Sequence, residues 1–194
     1  MEKKKILYFI TGNPHKYHEI KSMIEESFSD YSVVQKELPL KEIQANTLEE
    51  VAKFKVKSVR SILEPPYFIE DAGFFVDDVC HGFPGVYSSY VMKTIGYDGI
   101  LKIMKGESER KAHFESVIAY MDKDDKVFLF RGKNKGKVSE EPKGTSGFGF
   151  DPIFLSEDFP QKTFAELTTA EKNRVSHRTR SMKKFLKYLS DDLE

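Results

Sequence analysis

Glu70 and Asp71 stand side by side after the apolar run Tyr67-Phe68-Ile69, which reads as a short buried strand. Two carboxylates emerging at the end of such a strand suit a magnesium site, because magnesium takes oxygen ligands, keeps several waters and is completed by substrate phosphates. Glu42, in Glu42-Ile43-Gln44-Ala45-Asn46-Thr47, is placed in the sequence to join them. The same acids also fit a plainer role, capping helices and facing water.

Lys55 adds a second demand. Leu48, Val51, Ala52, Val59, Ile62 and Leu63 recur at helical spacing, and a turn of about 100° per residue puts Lys55 inside their stripe. Lys53 and Lys57 point elsewhere. An ammonium among aliphatic side chains must be paired, snorkel to water or lose its proton, so the position asks for a carboxylate or a phosphate. A lysine whose stem packs while its head escapes satisfies the pattern too.

Three further segments carry groups that bind anions or flat rings. Thr11-Gly12-Asn13-Pro14-His15-Lys16 lies between a predicted strand and a predicted helix, where free backbone N–H groups and the helix dipole favour an anion. Lys16 brings charge, Thr11 and Asn13 bring hydrogen bonds, and Gly12 allows close approach of the backbone. An Asx-type cap on an ordinary turn is the alternative. Gly144-Thr145-Ser146-Gly147-Phe148-Gly149-Phe150-Asp151-Pro152 alternates glycine with aromatics, a composition suited to stacking a base, or to a bend whose phenylalanines turn into the core. Ser176-His177-Arg178 opens the last helix, four residues after Lys172, and clusters donors there. Serine is a good N-cap, which accounts for Ser176 and leaves His177 and Arg178 unexplained.

The elements that must position these groups are legible as an α/β alternation. Residues 6–10 form an apolar run that stops at the Thr11 turn, and Tyr17, Ile20, Met23, Ile24 and Phe28 then repeat at helical spacing. A weaker strand at Val33-Val34, the Lys55 helix ending at Glu64-Pro65-Pro66, and the strand at residues 67–69 complete β-α-β-α-β. Residues 112–121 and 127–131, joined by Asp122-Lys123-Asp124-Asp125, read as an antiparallel hairpin, so the sheet should be mixed. Residues 99–104 look helical, and the last helix carries Met182, Phe185, Leu186 and Leu189 inward.

Bulk properties narrow the classes. A chain of 194 residues can bury a real core, and no repeat or linker composition divides it, so residues 1–194 are expected to form one α/β domain, in one lobe or two. Lys plus Arg and Asp plus Glu are both 31, which gives no global field for nucleic acid or an anionic membrane. Any anion site must be local. One cysteine, Cys80, rules out a disulfide framework and fits a reducing cytoplasm. The apolar run after Lys5 is too short for a signal peptide and none is long enough to span a bilayer.

These segments, in this order, resemble the inosine triphosphate pyrophosphatase family, the Ham1-like pyrophosphatases of deaminated purine triphosphates. The resemblance covers nearly the whole chain and includes Gly82-Phe83-Pro84-Gly85-Val86-Tyr87-Ser88 and Gly147-Phe148-Gly149-Phe150-Asp151-Pro152-Ile153-Phe154. It implies a mixed central sheet flanked by helices in an elongated two-lobed domain with a cleft, a homodimer, and Mg2+-dependent hydrolysis of ITP, XTP and dITP to the monophosphate and pyrophosphate. It implies Thr11, Gly12, Asn13, Lys16 and Lys55 at the phosphates. Glu42 and Asp71, with Glu70 nearby, would hold the metal, and Asp71 would accept the proton of the attacking water. Ala72, Phe148, Gly149 and Phe150 would contact substrate, Phe148 by stacking on the purine. Lys172, Asp151, His177 and Arg178 would read its edge.

Selectivity follows from the base. Hypoxanthine and xanthine present O6 and a protonated N1, so a donor such as Arg178 or His177 aimed at O6 rejects adenine. Guanine must be rejected at its 2-amino group by some other feature. The chain departs from the family at Ala72, where a Ser or Thr is common, and at Ser89-Tyr90, where an Ala-Arg is common. The alternatives are a Maf-like pyrimidine nucleotide pyrophosphatase and a non-catalytic nucleotide-binding protein.

Overall fold

A computed structural model describes residues 4–27 and 30–191. The expected β-α-β-α-β opening is present as β1 (Lys5–Ile10), α1 (Pro14–Ser27), β2 (Tyr31–Lys36), α2 (Leu48–Val59) and β3 (Tyr67–Val76). Next come β4 (Pro84–Gly85), α3 (Ser88–Thr94), α4 (Gly96–Ile103), β5 (Lys111–Met121), β6 (Val127–Val138), β7 (Phe154–Ser156), α5 (Thr169–Val175) and α6 (His177–Asp191). The sheet is mixed and runs β2-β1-β3-β5-β6-β7, with β4 paired to β3. β1 is parallel to both β2 and β3, whereas β4 and β7 run antiparallel to their partners. Among the described residues no helix is long and apolar enough to cross a membrane.

The chain folds into two compact units. One comprises the residues up to Asp71, Ser116–Gly132 and those from Arg178 onward; the other comprises Ala72–Glu115 and Lys133–His177. The first is built on the parallel strands. Phe9 and Phe68 are register partners on β1 and β3, and their rings stack at 4.6 Å. Ile20 and Ile24 of α1 and Met182, Phe185, Leu186 and Leu189 of α6 are buried in the same cluster. The 3.6-residue spacing of both helices thus delivers the apolar face that the sequence indicated. Phe28, counted in that pattern, lies outside the described residues.

The second unit has a core of phenylalanines. Phe114 meets Phe154 edge-on at 4.9 Å and lies tilted against Phe74 at 5.0 Å, and Phe164 meets Phe154 edge-on in turn. Edge-on pairs place the positive rim of one ring against the negative face of the next.

Three boundaries differ from the sequence reading. α2 stops at Val59, where Ile62 N–H and Leu63 N–H both bond back to the Val59 carbonyl, so Ile62 leaves the stripe and is exposed. β3 does not end at Ile69 but continues to Val76, because Phe74-Phe75-Val76 resumes the strand pattern after the small residues Ala72 and Gly73. The hairpin strands are also longer than residues 127–131 suggested: bonds from Asp122 N–H to the Lys126 carbonyl and from Val138 N–H to the Arg110 carbonyl mark its two ends.

Candidate active site

In the first unit, β1 pairs with β3 only through Tyr8↔Tyr67 and Phe9↔Phe68. Glu70 and Asp71 are therefore mid-strand in β3 but lie beyond the carboxyl end of its parallel neighbour, where α/β sheets bind ligands. Side chains alternate along a strand, so the two acids point to opposite faces and meet different partners.

Glu70 is buried among donors. Its Oε1 accepts from Ser116 Oγ at 2.7 Å and from Arg178 Nε at 3.2 Å, and its Oε2 lies 2.7 Å from Lys16 Nζ. Lys16 Nζ also donates to the Glu70 carbonyl at 3.1 Å. Ser181 Oγ touches Ser116 Oγ at 2.9 Å, and Arg178 carries a second ion pair to Glu19. Burial opposes ionisation of Glu70, but Arg178 and Lys16, with the hydrogen bonds from Lys16 and Ser116, outweigh it and hold the carboxyl well below the usual range. Oε1 is hydrogen-bonded and Oε2, which has no hydrogen bond of good geometry, is covered by the Lys16 ammonium, so Glu70 anchors two cations.

Asp71 is less completely satisfied. Lys55 Nζ donates to its Oδ1 at 2.5 Å and pairs with Glu42 Oε1 at 2.8 Å, while the buried Oδ2 has no hydrogen-bond partner. Burial pushes the Asp71 carboxyl up, against the opposing pull of Lys55 and Lys16. Lys55 is only 7% exposed; burial works against its charge, yet Asp71 and Glu42 outweigh that and raise its pKa. The anion that the Lys55 position demanded is thus supplied by two carboxylates of the chain itself. α2 is held in place by a capping box, in which Glu50 N–H donates to Thr47 Oγ1 and Glu50 Oε2 accepts from Thr47 N–H.

The Thr11 turn is a well-formed cap. Asn13 N–H donates to Thr11 Oγ1, and Asn13 Oδ1 accepts from the His15 and Lys16 N–H groups. The first-turn donors of α1 that the sequence offered to an anion are engaged with Asn13. Gly12 is exposed, and a Cβ there would meet Glu37 Oε1 at 3.2 Å.

In the second unit the glycine-rich loop is closed by Asp151. Its Oδ2 accepts from Phe148 N–H at 2.8 Å and from Lys172 Nζ at 2.8 Å. Gly147 and Gly149 both have positive φ, and a Cβ at Gly147 would run into the Asp151 carboxylate whereas one at Gly149 would meet open space. The Lys172 ammonium lies 5.1 Å from the Phe148 ring centre and 5.9 Å from that of Phe164, a cation–π arrangement. Phe148 is half-buried, while Phe150 belongs to the core and stacks on Phe74 at 5.0 Å. His177 is buried with its ring stacked on Phe114 at 4.7 Å. Ala72 follows Asp71 on β3 and is half-buried.

The structure therefore gathers Lys16, Glu70 and Arg178 in one cluster, Lys55, Asp71 and Glu42 in a second, and Phe148, Asp151 and Lys172 in a third. Ser116, Ser181 and Glu19 were not singled out from sequence. Ser116 left a faint signal as a polar residue inside the apolar run 112–121; Glu19 and Ser181 left none, because their partners are far away in sequence. Among the described residues no three His, Cys, Asp or Glu side chains form a metal cage. Magnesium needs none, since one or two carboxylates suffice with waters and substrate phosphates. The partnerless Asp71 Oδ2, a hard oxygen, is the atom such an ion fits, with Glu42 beside it.

Residues 7–188 match the Ham1 family. A Thermococcus kodakarensis protein named dITP/XTP pyrophosphatase is 49% identical over 97% of this chain and 99% of its own length. A Pyrococcus horikoshii protein of the same name is 43% identical over 97% of this chain and 98% of its own. The structure of the Staphylococcus aureus Ham1 protein superposes with a TM-score of 0.83 at 26% identity, covering 97% of this chain and all of that one (100%). A HAM1 protein from Coxiella burnetii gives 0.80, also at 26% identity, over 96% and 98% of the two chains. With a match over nearly its whole length and relatives of this closeness, the chain belongs to the Ham1 family.

Proposed function

We propose that this protein hydrolyses dITP, XTP and ITP to the monophosphate and pyrophosphate, with magnesium, and so removes deaminated purines from the nucleotide pool. The observation that carries the reading is Asp71: a buried carboxylate with one unpartnered oxygen, pushed up by burial, beside Lys55 and Glu42. The names of the curated relatives support the substrate class.

Asp71 and Glu42 would hold the metal, which when bound would supply neutralisation of the phosphate charge for attack at the α-phosphorus. Asp71, its basicity raised by its surroundings, accepts the proton of the attacking water. Lys16 and Lys55 sit at the phosphates with Thr11, Gly12 and Asn13, which requires Lys55 to exchange part of its bond to Glu42 for a phosphate oxygen. Glu70 acts by fixing Lys16 and Arg178. Phe148 stacks on the purine, with Ala72, Gly149 and Phe150 completing the contact, and Lys172, Asp151, His177 and Arg178 read its edge. Residues 1–194 act as one catalytic domain, as a homodimer in the cytoplasm, with no nucleic-acid or membrane partner.

The test is pyrophosphate release from ITP, XTP, dITP, ATP, GTP and dTTP with and without magnesium. Release from the first three, dependent on the metal, is expected. Orthophosphate as first product would move the attack to the γ-phosphorus, and a preference for dTTP would favour the pyrimidine alternative.

A further inference from the structure

Asn134 is fully buried on β6, yet it belongs to none of the three clusters of the candidate site. On this strand Arg131, Lys135 and Lys137 are exposed, while Gly132, Asn134 and Val138 are buried, so the alternation of the strand turns a carboxamide inward. Burying an amide costs free energy unless its groups find hydrogen-bond partners, and here it is the two donors that find them. Asn134 Nδ2 donates to Asp158 Oδ2 at 2.9 Å and to the Val175 carbonyl at 2.8 Å. Asp158 is fixed in turn: its backbone N–H donates to Ser156 Oγ at 3.1 Å, and Ser156 Oγ reaches its Oδ2 at 3.3 Å. The Ser156 hydroxyl belongs to β7, whose register against β6 pairs Ser156 with Gly136. The amide is thus bolted to two strands of the sheet.

What it holds is the last residue of α5. The final carbonyls of a helix have no partner within the helix, and here that of Val175 is captured by a side chain. The next residue, Ser176, has an extended backbone with ψ of 154°, its N–H closing on the Lys172 carbonyl, and α6 starts at His177. The break between the helix that carries Lys172 and the helix that opens with His177 and Arg178 therefore lies beside a carbonyl pinned to the sheet. Asn134 Oδ1 is buried with no hydrogen-bond partner, so the carboxamide is not kept in place by its acceptor; its two donor bonds are what hold it.

We infer that Asn134 is a positioning residue for base recognition: through the Val175 carbonyl it fixes the end of α5 against the sheet, and with it where Lys172 and His177 meet the purine. This rests on the assignment of Lys172 and His177 to the base. The chemical step at Asp71 does not depend on it.

The test measures kcat and KM for ITP and ATP in Asn134→Leu, which keeps the branched outline with more bulk and removes both donors, and in Asp158→Asn, which keeps an acceptor for Asn134 and leaves the Val175 bond in place. His177→Ala is run in parallel. Asn134→Leu should lower the ITP-to-ATP ratio of kcat/KM about tenfold, mainly by raising KM for ITP, with kcat within about twofold of the parent; Asp158→Asn should leave the ratio unchanged. A lower melting temperature in Asn134→Leu with an unchanged ratio would reduce Asn134 to a structural group and overturn the inference. If His177→Ala lowers the ratio and Asn134→Leu does not, only the positioning role fails; if neither does, the base assignment fails with it. Should Asn134→Leu not fold, Asn134→Ala, which removes both donors without adding bulk or charge, is read by the same criteria.

Discussion

Lys55–Asp71 in the first unit and Lys172–Asp151 in the second are both lysine–aspartate pairs largely withdrawn from water, but they are finished differently. Side-chain exposures are 7% and 4% for Lys172 and Asp151, and the shared oxygen Asp151 Oδ2 also takes the Phe148 N–H. That pair clamps a loop. In the other, Asp71 is 13% exposed, one of its oxygens has no hydrogen bond, and Lys55 divides itself between Asp71 and the exposed Glu42. A buried ion pair with all its groups satisfied is a fixture, whereas one with an unmatched oxygen is ready for another cation. The difference separates a pair that is closed on itself from one that still has an oxygen to offer.

Asp71→Asn should break the comparison at its strongest point. Turnover of ITP with magnesium should fall at least about a hundredfold, the scale of a lost general base, while the melting temperature stays level or rises, because a carboxylate held in an unfavourable place is replaced by a neutral amide. Near-parental turnover would remove Asp71 from the chemistry.

The lysines should separate in stability. Lys172→Met leaves Asp151 buried beside Phe148 without its cation, and denaturant unfolding should show a loss of about 3–5 kcal/mol. Lys55→Met strands a less buried carboxylate that can take up a proton, and Glu42 is left in water, so about 1–2 kcal/mol is expected, below the usual range for broken buried pairs. Had phosphate been the only anion of Lys55, the change would be neutral or stabilising. Equal losses at both sites would mean that the two pairs are alike.

The glycines of the loop offer a smaller contrast. Gly147 and Gly149 have φ of 75° and 65°, so alanine at either pays for a left-handed backbone, about 1 kcal/mol or somewhat more. Only at Gly147 does the new Cβ also collide with the Asp151 carboxylate. Gly147→Ala should therefore destabilise more than Gly149→Ala in thermal melts, and matching losses would mean the clamp yields.

The unequal legibility of the molecule has physical causes. Patterns within one element were readable: Lys55 in its stripe, the amphipathic α6 and the parallel opening follow from periods of 3.6 and 2. α5 was readable and not read, for Thr168 and Glu171 form a capping box around its first turn. Ends were harder, because β3 runs through Ala72 and Gly73 on the strength of Phe74, Phe75 and Val76 beyond them. The ring of partners around Glu70 was out of reach. Arg178 lies 108 residues from it in sequence, and no local spacing announces a bond made by the packing of α6 on the sheet. The third cluster was half visible: Phe148 and Asp151 share a motif, but that Phe150 turns into the core while Phe148 does not is decided by the fit of one ring against Phe74.

The finest distinction concerns pH and is expected to be the smallest effect. The carboxyl of Asp71 titrates above its ordinary value in the folded protein, so the native state holds this proton more tightly than the unfolded chain does. Between the unfolded value and the raised folded one, N binds more protons than U, and stability falls as pH rises through that window. The neighbouring Glu70 has the opposite sign: its carboxyl lies below the ordinary range, so its contribution is present above about pH 4.5, the unfolded value, and is lost as pH falls through the folded one. Comparing Asp71→Asn with the parent isolates the first term, since both proteins keep Glu70. In melts without divalent metal, the variant's advantage in melting temperature should be least near pH 3.5, grow as pH rises above about 4 and then level off. An advantage that stays constant or shrinks over the same interval would show that Asp71 is comfortably ionised where it stands, and the contrast between an unfinished pair and a finished one would lose its basis.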